Sequence, residues 1–375
     1  MSEQNARAVA LTALMQIEAG QRSGPVLAQL LATAELDKRD RAFVTNLVQG
    51  VTRMRRACDH LIDAHLDRKP DEVVRQVLRL GTYQLLWLQT PLHAAVDATV
   101  EIAPRRARGF VNAVLRRVAD AGVTKSWPSA AVELSYPDWI VDRLTNDLGA
   151  DADGALRAMN DPETPAPRPD GFVQGLASRW VVDEVAAQTG DLVADLCAAP
   201  GGKSTGLALG GATVIAAEIA SHRIDVLAET AHRFGQGRVL VVRADAGSAP
   251  FPAASFDRVV VDAPCSGLGA LGRRSDARWK IKARDVDRLA RVQSRLLGSA
   301  AELVKPGGTL IYAVCTMTRA ETSDVVGGFA DERFEPDPLV WPDRWRPLEG
   351  TRHGGLLLPQ DHGTDAMAVA RWRRA

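Results

Sequence analysis

Residues 192–203 read LVADLCAAPGGK: a short apolar run that ends on an acid, then a turn of small residues, then a lysine. The run suits a buried β-strand, and the small residues suit the turn by which a parallel strand feeds a helix. At such a turn the backbone N–H groups can approach a nucleotide-type ligand closely. The stretch is not a Walker P-loop, which needs Gly six residues before the Lys where this chain has Cys197, and it is not a Gly-x-Gly-x-x-Gly turn either.

Four further β-branched runs follow: TVIAA (213–217), RVLVV (238–242), FDRVVVD (256–262) and TLIYAV (309–314). Helical patterns separate them, which predicts a parallel, doubly wound sheet whose ligands sit outside the carboxyl ends of the strands. Four acids fall at successive strand ends: Asp195, Glu218, Asp245 and Asp262. A lone acid there is ordinarily a solvated loop residue or a helix cap. Together they suit a polar, cationic, ribose-bearing cofactor better than a phosphate, and an acid placed as Glu218 is can bind the two ribose hydroxyls.

The fourth strand continues into Asp262-Ala-Pro-Cys265-Ser-Gly-Leu-Gly and the fifth into Tyr312-Ala-Val-Cys315-Thr, so two cysteines at neighbouring strand ends can project into one crevice. Cys58 and Cys197 read as small buried hydrophobes. The four cysteines lie far apart with no Cys-x-x-Cys pair, which argues against a zinc knuckle or a disulfide framework and predicts free thiols and no metal.

Before the sheet, residues 5–120 place apolar side chains at helical spacing, as in Phe43, Leu47, Val48 and Val51, and predict five to seven helices. Further helices are expected over 126–160, and DPETPAPRPDG (161–171), with four prolines, is expected to be a linker. The chain of 375 residues is 46% apolar with zero formal net charge. It has no apolar run near the ~20 residues of a membrane span, and its start reads as an amphipathic helix rather than a signal peptide. A cytoplasmic protein is expected. Residues 1–120 hold 17 Lys+Arg against 13 Asp+Glu, so any basic surface is local.

In order and spacing, DLCAAPGGK, DAPCSGLG and YAVCT resemble the RNA cytosine-5 methyltransferases, and most of all their bacterial Sun (RsmB) branch, which modifies small-subunit (16S) ribosomal RNA. LDKRDRAFVTNLVQGVTR, VLRLGTYQLL, HAAVDATVEIA and GFVNAVLRRV are similar to the NusB-like helical RNA-binding domain of that branch, and LLLPQDHGTDAMAVARWRR resembles its closing strand pair. The resemblance implies a Rossmann-like α/β methyltransferase sheet preceded by an all-α NusB-like bundle. The expected domains are 1–125 for the bundle, 126–171 for connector and linker, and 172–375 for the catalytic part. S-adenosylmethionine is the implied cofactor, ribosomal RNA the implied partner, and a monomer is expected.

Carried over onto this chain, Cys197, Ala198, Ala199, Pro200, Gly201, Gly202 and Lys203 would hold the methionine part of the cofactor, Glu218 its ribose and Asp245 its adenine. Asp262 would lie between cofactor and base, Cys315 would be the nucleophile and Cys265 the base that ends the reaction. Basic residues beside an aromatic suit RNA, which singles out Arg273, Arg274 and Arg278 with Trp279 and Lys280, and on the helical domain Arg105, Arg106 and Arg108 with Arg116 and Arg117. The chain departs from the family where Asn160-Asp-Pro162 runs almost directly into FVQGLASRW, without the usual small α/β subdomain, and at Gly175, Ser275, Val314 and Thr322. Two other functions are compatible with parts of this pattern: a NusB-like binding protein with a degenerate methyltransferase half, and a methyltransferase of protein or DNA. The retained cysteine pair disfavours the first, and the helical domain disfavours the second.

Overall fold

The structure, a computed structural model, describes residues 5–124, 126–162 and 164–375. The expected boundary at residue 125 falls on a position outside the described residues. Contacts divide the chain into a helical unit, 1–142 with 271–280, and a sheet unit, 143–270 with 281–375. No helix among the described residues is long and apolar enough to cross a membrane.

The helical unit begins with seven α-helices, α1 (Ala6–Glu18), α2 (Ser23–Thr33), α3 (Lys38–Arg53), α4 (Arg55–Asp63), α5 (Glu72–Leu86), α6 (Leu92–Ile102) and α7 (Arg108–Ala121). Side chains set three of the starts: Asn5, Asp37 and Asp71 accept the backbone N–H of Arg7, Asp40 and Val74 at 2.9, 2.7 and 2.9 Å, which satisfies donors no helical carbonyl can reach. The heptad-like apolar stripes meet in one core that includes Ala10, Leu47, Val48, Ile62, Leu78, Val96 and Leu115. Gly50 on α3 is fixed by that packing, because a Cβ there would lie 2.0 Å from Tyr83 Cζ.

Residues 271–280 belong to this helical core, and their role corrects one expectation. Arg278, expected to meet RNA, is completely buried. Its guanidinium donates to the carbonyls of Arg53 and Ser135 at 3.2 and 3.1 Å, reaches the Tyr136 hydroxyl at 3.1 Å and lies 3.9 Å over the Tyr136 ring. Burial pulls its pKa down to about 10. A side chain so enclosed is a structural pin with no surface to offer a phosphate. Trp279 likewise donates its indole N–H to Thr52 O at 2.7 Å, with the Arg55 guanidinium 4.3 Å over its ring.

The sheet unit holds nine strands among the described residues: β1 (Leu192–Asp195), β2 (Thr213–Glu218), β3 (Val239–Arg243), β4 (Phe256–Asp262), β5 (Val304–Val314), β6 (Phe334–Pro336), β7 (Arg346–Pro347), β8 (Gly354–Leu357) and β9 (Met367–Arg374). Their order is β3-β2-β1-β4-β5-β9-β8-β7, with β6 also on β9; the first five are parallel and β9 runs antiparallel to β5. Both faces are covered, as alternation along the strands requires. Ala194, Val259, Val261, Leu310 and Tyr312 join one core with Leu296 and Leu297, while Val193, Val260, Ile311 and Ala313 join another with Val181 and Leu207. The expected α/β class with an all-α front is the fold found. β5 starts five residues earlier than its β-branched run suggests, because Val304 already pairs with Phe256, and Lys305-Pro-Gly-Gly, with Gly307 at φ +75°, bulges out before the ladder resumes at Arg258 and Thr309.

Between Met159 and Gly175 the described residues form no element beyond an isolated Pro167–Val173 bridge. The proline-rich stretch is nonetheless tied down. Buried Arg168 makes a double ion pair with Asp170, stacks 4.7 Å over Phe172, and donates to Gly202 O at 2.8 Å and Thr205 Oγ1 at 3.0 Å. It thereby braces the first turn of the helix Gly202–Leu209.

Candidate active site

The strand order reverses direction between β1 and β4, so the loops leaving their carboxyl ends diverge and open a crevice. Asp195, Glu218 and Asp262 are the last residues of β1, β2 and β4, Asp245 follows β3, and Cys315 follows β5 directly. Parallel pairing thus puts every one of these groups on one edge of the sheet.

Asp195 is fully buried; it accepts a 2.7 Å hydrogen bond from Ser204, and its other oxygen has no partner. Burial raises its pKa to about 6, and the Asp262 charge adds to the rise while the Ser204 bond and Lys203 oppose it. Glu218 is also buried. One oxygen takes the Ala220 N–H at 2.9 Å; the other lies 3.1 Å from the Arg223 guanidinium as an ion pair, but in a direction that makes no hydrogen bond. Arg223 in turn donates to Ala199 O in the loop after β1. Gly201 in that loop has φ +105°, and a Cβ there would come within 3.0 Å of Leu227 and Thr230. Asp245 is exposed and folds its carboxylate onto the Gly247 N–H at 2.8 Å.

Lys203 and Asp262 form an ion pair at 2.6 Å. Beyond it, Cys265 Sγ and Cys315 Sγ lie 3.3 Å apart, both partly exposed and not joined as a disulfide. The hydrogen bond to Cys315 and burial hold the Cys265 thiol well above its ordinary pKa. Gly269 explains the small-residue tail of the fourth-strand motif: its N–H meets Cys315 O at 3.1 Å, its carbonyl takes the Ala366 N–H, and a Cβ would sit 2.7 Å from Ala366 Cβ. Cys197 and Cys58 are pushed up by burial and behave as small hydrophobes.

The profile of the family described as 16S rRNA methyltransferase RsmB/F matches residues 183–373, and that of the NusB family matches residues 4–120. The chain belongs to the RsmB/F family of 16S rRNA methyltransferases. It is 33% identical to ribosomal RNA small subunit methyltransferase B of Thermus thermophilus, over 98% of this chain and 97% of that protein. It is 36% identical, over 93% and 92%, to a Mycobacterium tuberculosis protein that bears the provisional name of a methyltransferase. Its fold matches the crystal structure of PH0851 with TM-score 0.76 at 20% identity, over 100% and 99% of the two chains. NSun6 of Pyrococcus horikoshii, solved with SFG, an S-adenosylmethionine analogue, matches with TM-score 0.50 at 25% identity over 54% and 53%.

The chain is thus an S-adenosylmethionine-dependent methyltransferase of the RsmB/F family, with a NusB helical domain. Its residues fit the cofactor. Asp195 Oδ1, with no hydrogen bond, and Glu218 Oε2, held only by the Arg223 ion pair, are buried acceptors at adjacent strand ends, of the kind that an amino group and ribose hydroxyls can bond. Ile219, exposed next to Glu218, adds an apolar surface.

Two groups at this RsmB/F site carried no sequence signal of their own. Arg168 lies in a stretch whose prolines mark only a linker, and Glu321 enters the family pattern only as the residue before Thr322, with no role attached to it. Of the basic residues, Arg105, Arg106, Arg108, Arg273 and Arg274 are exposed; Arg106 pairs with Asp71 at 2.9 Å, and Arg108 donates to Glu101 O at 2.7 Å.

Proposed function

We propose that this chain methylates carbon 5 of a cytosine in 16S ribosomal RNA, with Cys315 adding to carbon 6 of the base. The observation that carries the reading is the thiol pair, 3.3 Å apart at adjacent strand ends, next to the Lys203–Asp262 ion pair. Carbon 5 of cytosine is a poor nucleophile; a thiolate on carbon 6 makes it enamine-like. Bound S-adenosylmethionine supplies an electrophilic methyl group. Asp262, once it carries a proton, is the group suited to donate to ring nitrogen 3 of the base, which draws electron density away from carbon 6 and eases the addition.

Cys265 serves in both halves of this cycle. Before addition its S–H donates to Cys315 and favours the thiolate there, which is the first cause of its own raised pKa. Once Cys315 is a thioether it bears no charge, that cause disappears, and Cys265 can ionise and remove the carbon 5 proton so that Cys315 leaves. Exposed Arg105, Arg106, Arg108, Arg273 and Arg274 are the proposed phosphate contacts. The affinity for RNA should then fall steeply with salt.

Two variants test the chemistry. Cys315→Ala should abolish methylation of 16S RNA and any covalent adduct, whereas Cys265→Ala should methylate once and stall as a protein–RNA complex stable in a denaturing gel. A trapped complex in Cys315→Ala instead would move the nucleophile to Cys265. Methylation intact in both would exclude covalent catalysis.

A further inference from the structure

Glu321 is completely buried between the two loops that carry the thiols. One of its oxygens accepts the Ser266 N–H at 2.7 Å and the Gln293 amide at 3.1 Å. The other accepts the hydroxyls of Ser266 at 2.5 Å, Thr318 at 3.0 Å and Thr316 at 3.1 Å. Gln293 also donates to Pro264 O at 3.0 Å, and the Tyr312 hydroxyl to Glu321 O at 2.7 Å. The residues on either side of Cys265 and the residue after Cys315 therefore all end on one carboxylate or on its nearest partner.

We propose that Glu321 is the positioning residue of the thiol pair: it brackets the two loops and sets the separation of Cys265 and Cys315. A carboxylate is the side chain suited to this task. It only accepts, at about four lone-pair directions, so it can collect the convergent N–H and O–H groups; an amide of the same shape turns an NH2 towards some of them. Strand pairing alone leaves the thiols free. β4 ends at Asp262 and β5 at Val314, and the last registered pair is Asp262 with Ala313, so both cysteines lie beyond the ladder in loops that need their own fixation. The buried charge also faces Cys265 and adds to what keeps that thiol protonated, while Lys203 acts on Cys315 from the cofactor loop. The two thiols are thus made unequal by opposite charges from two different elements.

The catalytic consequence rests on the covalent reading above; the geometric claim does not. The test is therefore a cross-link. In the full-length protein, diamide should convert the two thiols to a Cys265–Cys315 disulfide, followed by peptide mapping. Glu321→Gln should slow this roughly tenfold or more with S-adenosylmethionine affinity unchanged in calorimetry, because a displacement near 1 Å is enough to spoil the reacting geometry. On 16S RNA the same variant should lower kcat by roughly 10- to 100-fold and leave KM for S-adenosylmethionine unchanged. Ser266→Ala, which keeps Glu321 but cuts one tie to the Cys265 loop, should lie between wild type and Glu321→Gln, and it decides the matter if Glu321→Gln does not fold. Cross-linking at the wild-type rate in a folded Glu321→Gln or Ser266→Ala protein would overturn the bracket. Methylation surviving Cys315→Ala would instead overturn the covalent reading and leave the cross-linking result standing.

Discussion

The ammonium of Lys203 lies 2.6 Å from the Asp262 carboxylate, so the cofactor loop after β1 and the end of β4 share one ion pair. Burial disfavours the charge on Lys203, but the attraction and hydrogen bond of Asp262 outweigh it and hold the pKa above the ordinary lysine value. Lys203 stays cationic, and Cys315 is among the groups that interact with it. Replacing it by Met should slow methyl transfer ~10²-fold and move the alkylation of Cys315 by iodoacetamide to higher pH, since the thiolate loses a nearby cation. The check is the pH profile of carbamidomethylation at Cys315, read by mass spectrometry; an unshifted profile removes Lys203 from thiol activation.

Asp195 should make cofactor binding pH-dependent. Its folded pKa of about 6 lies above the ordinary value of 3.8, so the free protein holds a proton there that the unfolded chain has lost between those two values. Asp195 therefore costs stability progressively as pH rises from about 4 to about 6, by up to ~3 kcal/mol at neutral pH. Asp195→Asn should close that difference in urea unfolding at pH 7 and not at pH 4. A cationic cofactor favours the ionised carboxyl, so binding of S-adenosylmethionine near pH 5.5 should release protons, visible as a buffer-dependent heat. A heat that is the same in all buffers would exclude this linkage.

Arg278 and its neighbours Arg273 and Arg274 should separate cleanly into stability and binding. Arg278→Met strips donors from the buried carbonyls of Arg53 and Ser135 and should cost roughly 1–3 kcal/mol in unfolding free energy for each acceptor left unsatisfied. The double change of Arg273 and Arg274 to Ala, both exposed, should leave Tm unchanged and weaken RNA binding with a shallower salt dependence. Thermal unfolding and filter binding at several salt concentrations distinguish the two; a stable Arg278→Met protein would contradict the pin.

Arg168→Ala should loosen the cofactor loop from outside. It loses the bonds to Gly202 O and Thr205 Oγ1 at 2.8 and 3.0 Å, and leaves Asp170, whose pKa the Arg168 bond lowers, without that partner. The expected result is about 1–3 kcal/mol weaker S-adenosylmethionine binding with the Cys265–Cys315 cross-link still forming. Unaltered cofactor affinity would reduce Arg168 to a support of the linker alone.

Sequence by itself determined the class of the sheet, the edge at which the acids gather, and the pair of cysteines on it. These are local signals: β-branched runs of five to seven residues, each with an acid or a cysteine at or shortly after its end, need only strand periodicity and parallel winding to be read. The family motifs added names to those positions. Tertiary structure alone decided what the remaining charges do. Arg278 stands in a basic cluster that looks like a phosphate site, yet its partners Arg53 and Tyr136 are 225 and 142 residues away, and only their arrival removes it from solvent. Arg168 reads as linker until Gly202, 34 residues on, receives its hydrogen bond. Glu321 stands in the family pattern before Thr322, yet nothing local assigns it a role, because its five donors come from Ser266, Gln293, Thr316 and Thr318 on three separate stretches of chain. Whether a charged side chain is solvated, paired or buried depends on which distant backbone arrives beside it, and that information is absent from the side chain's own neighbourhood in the sequence.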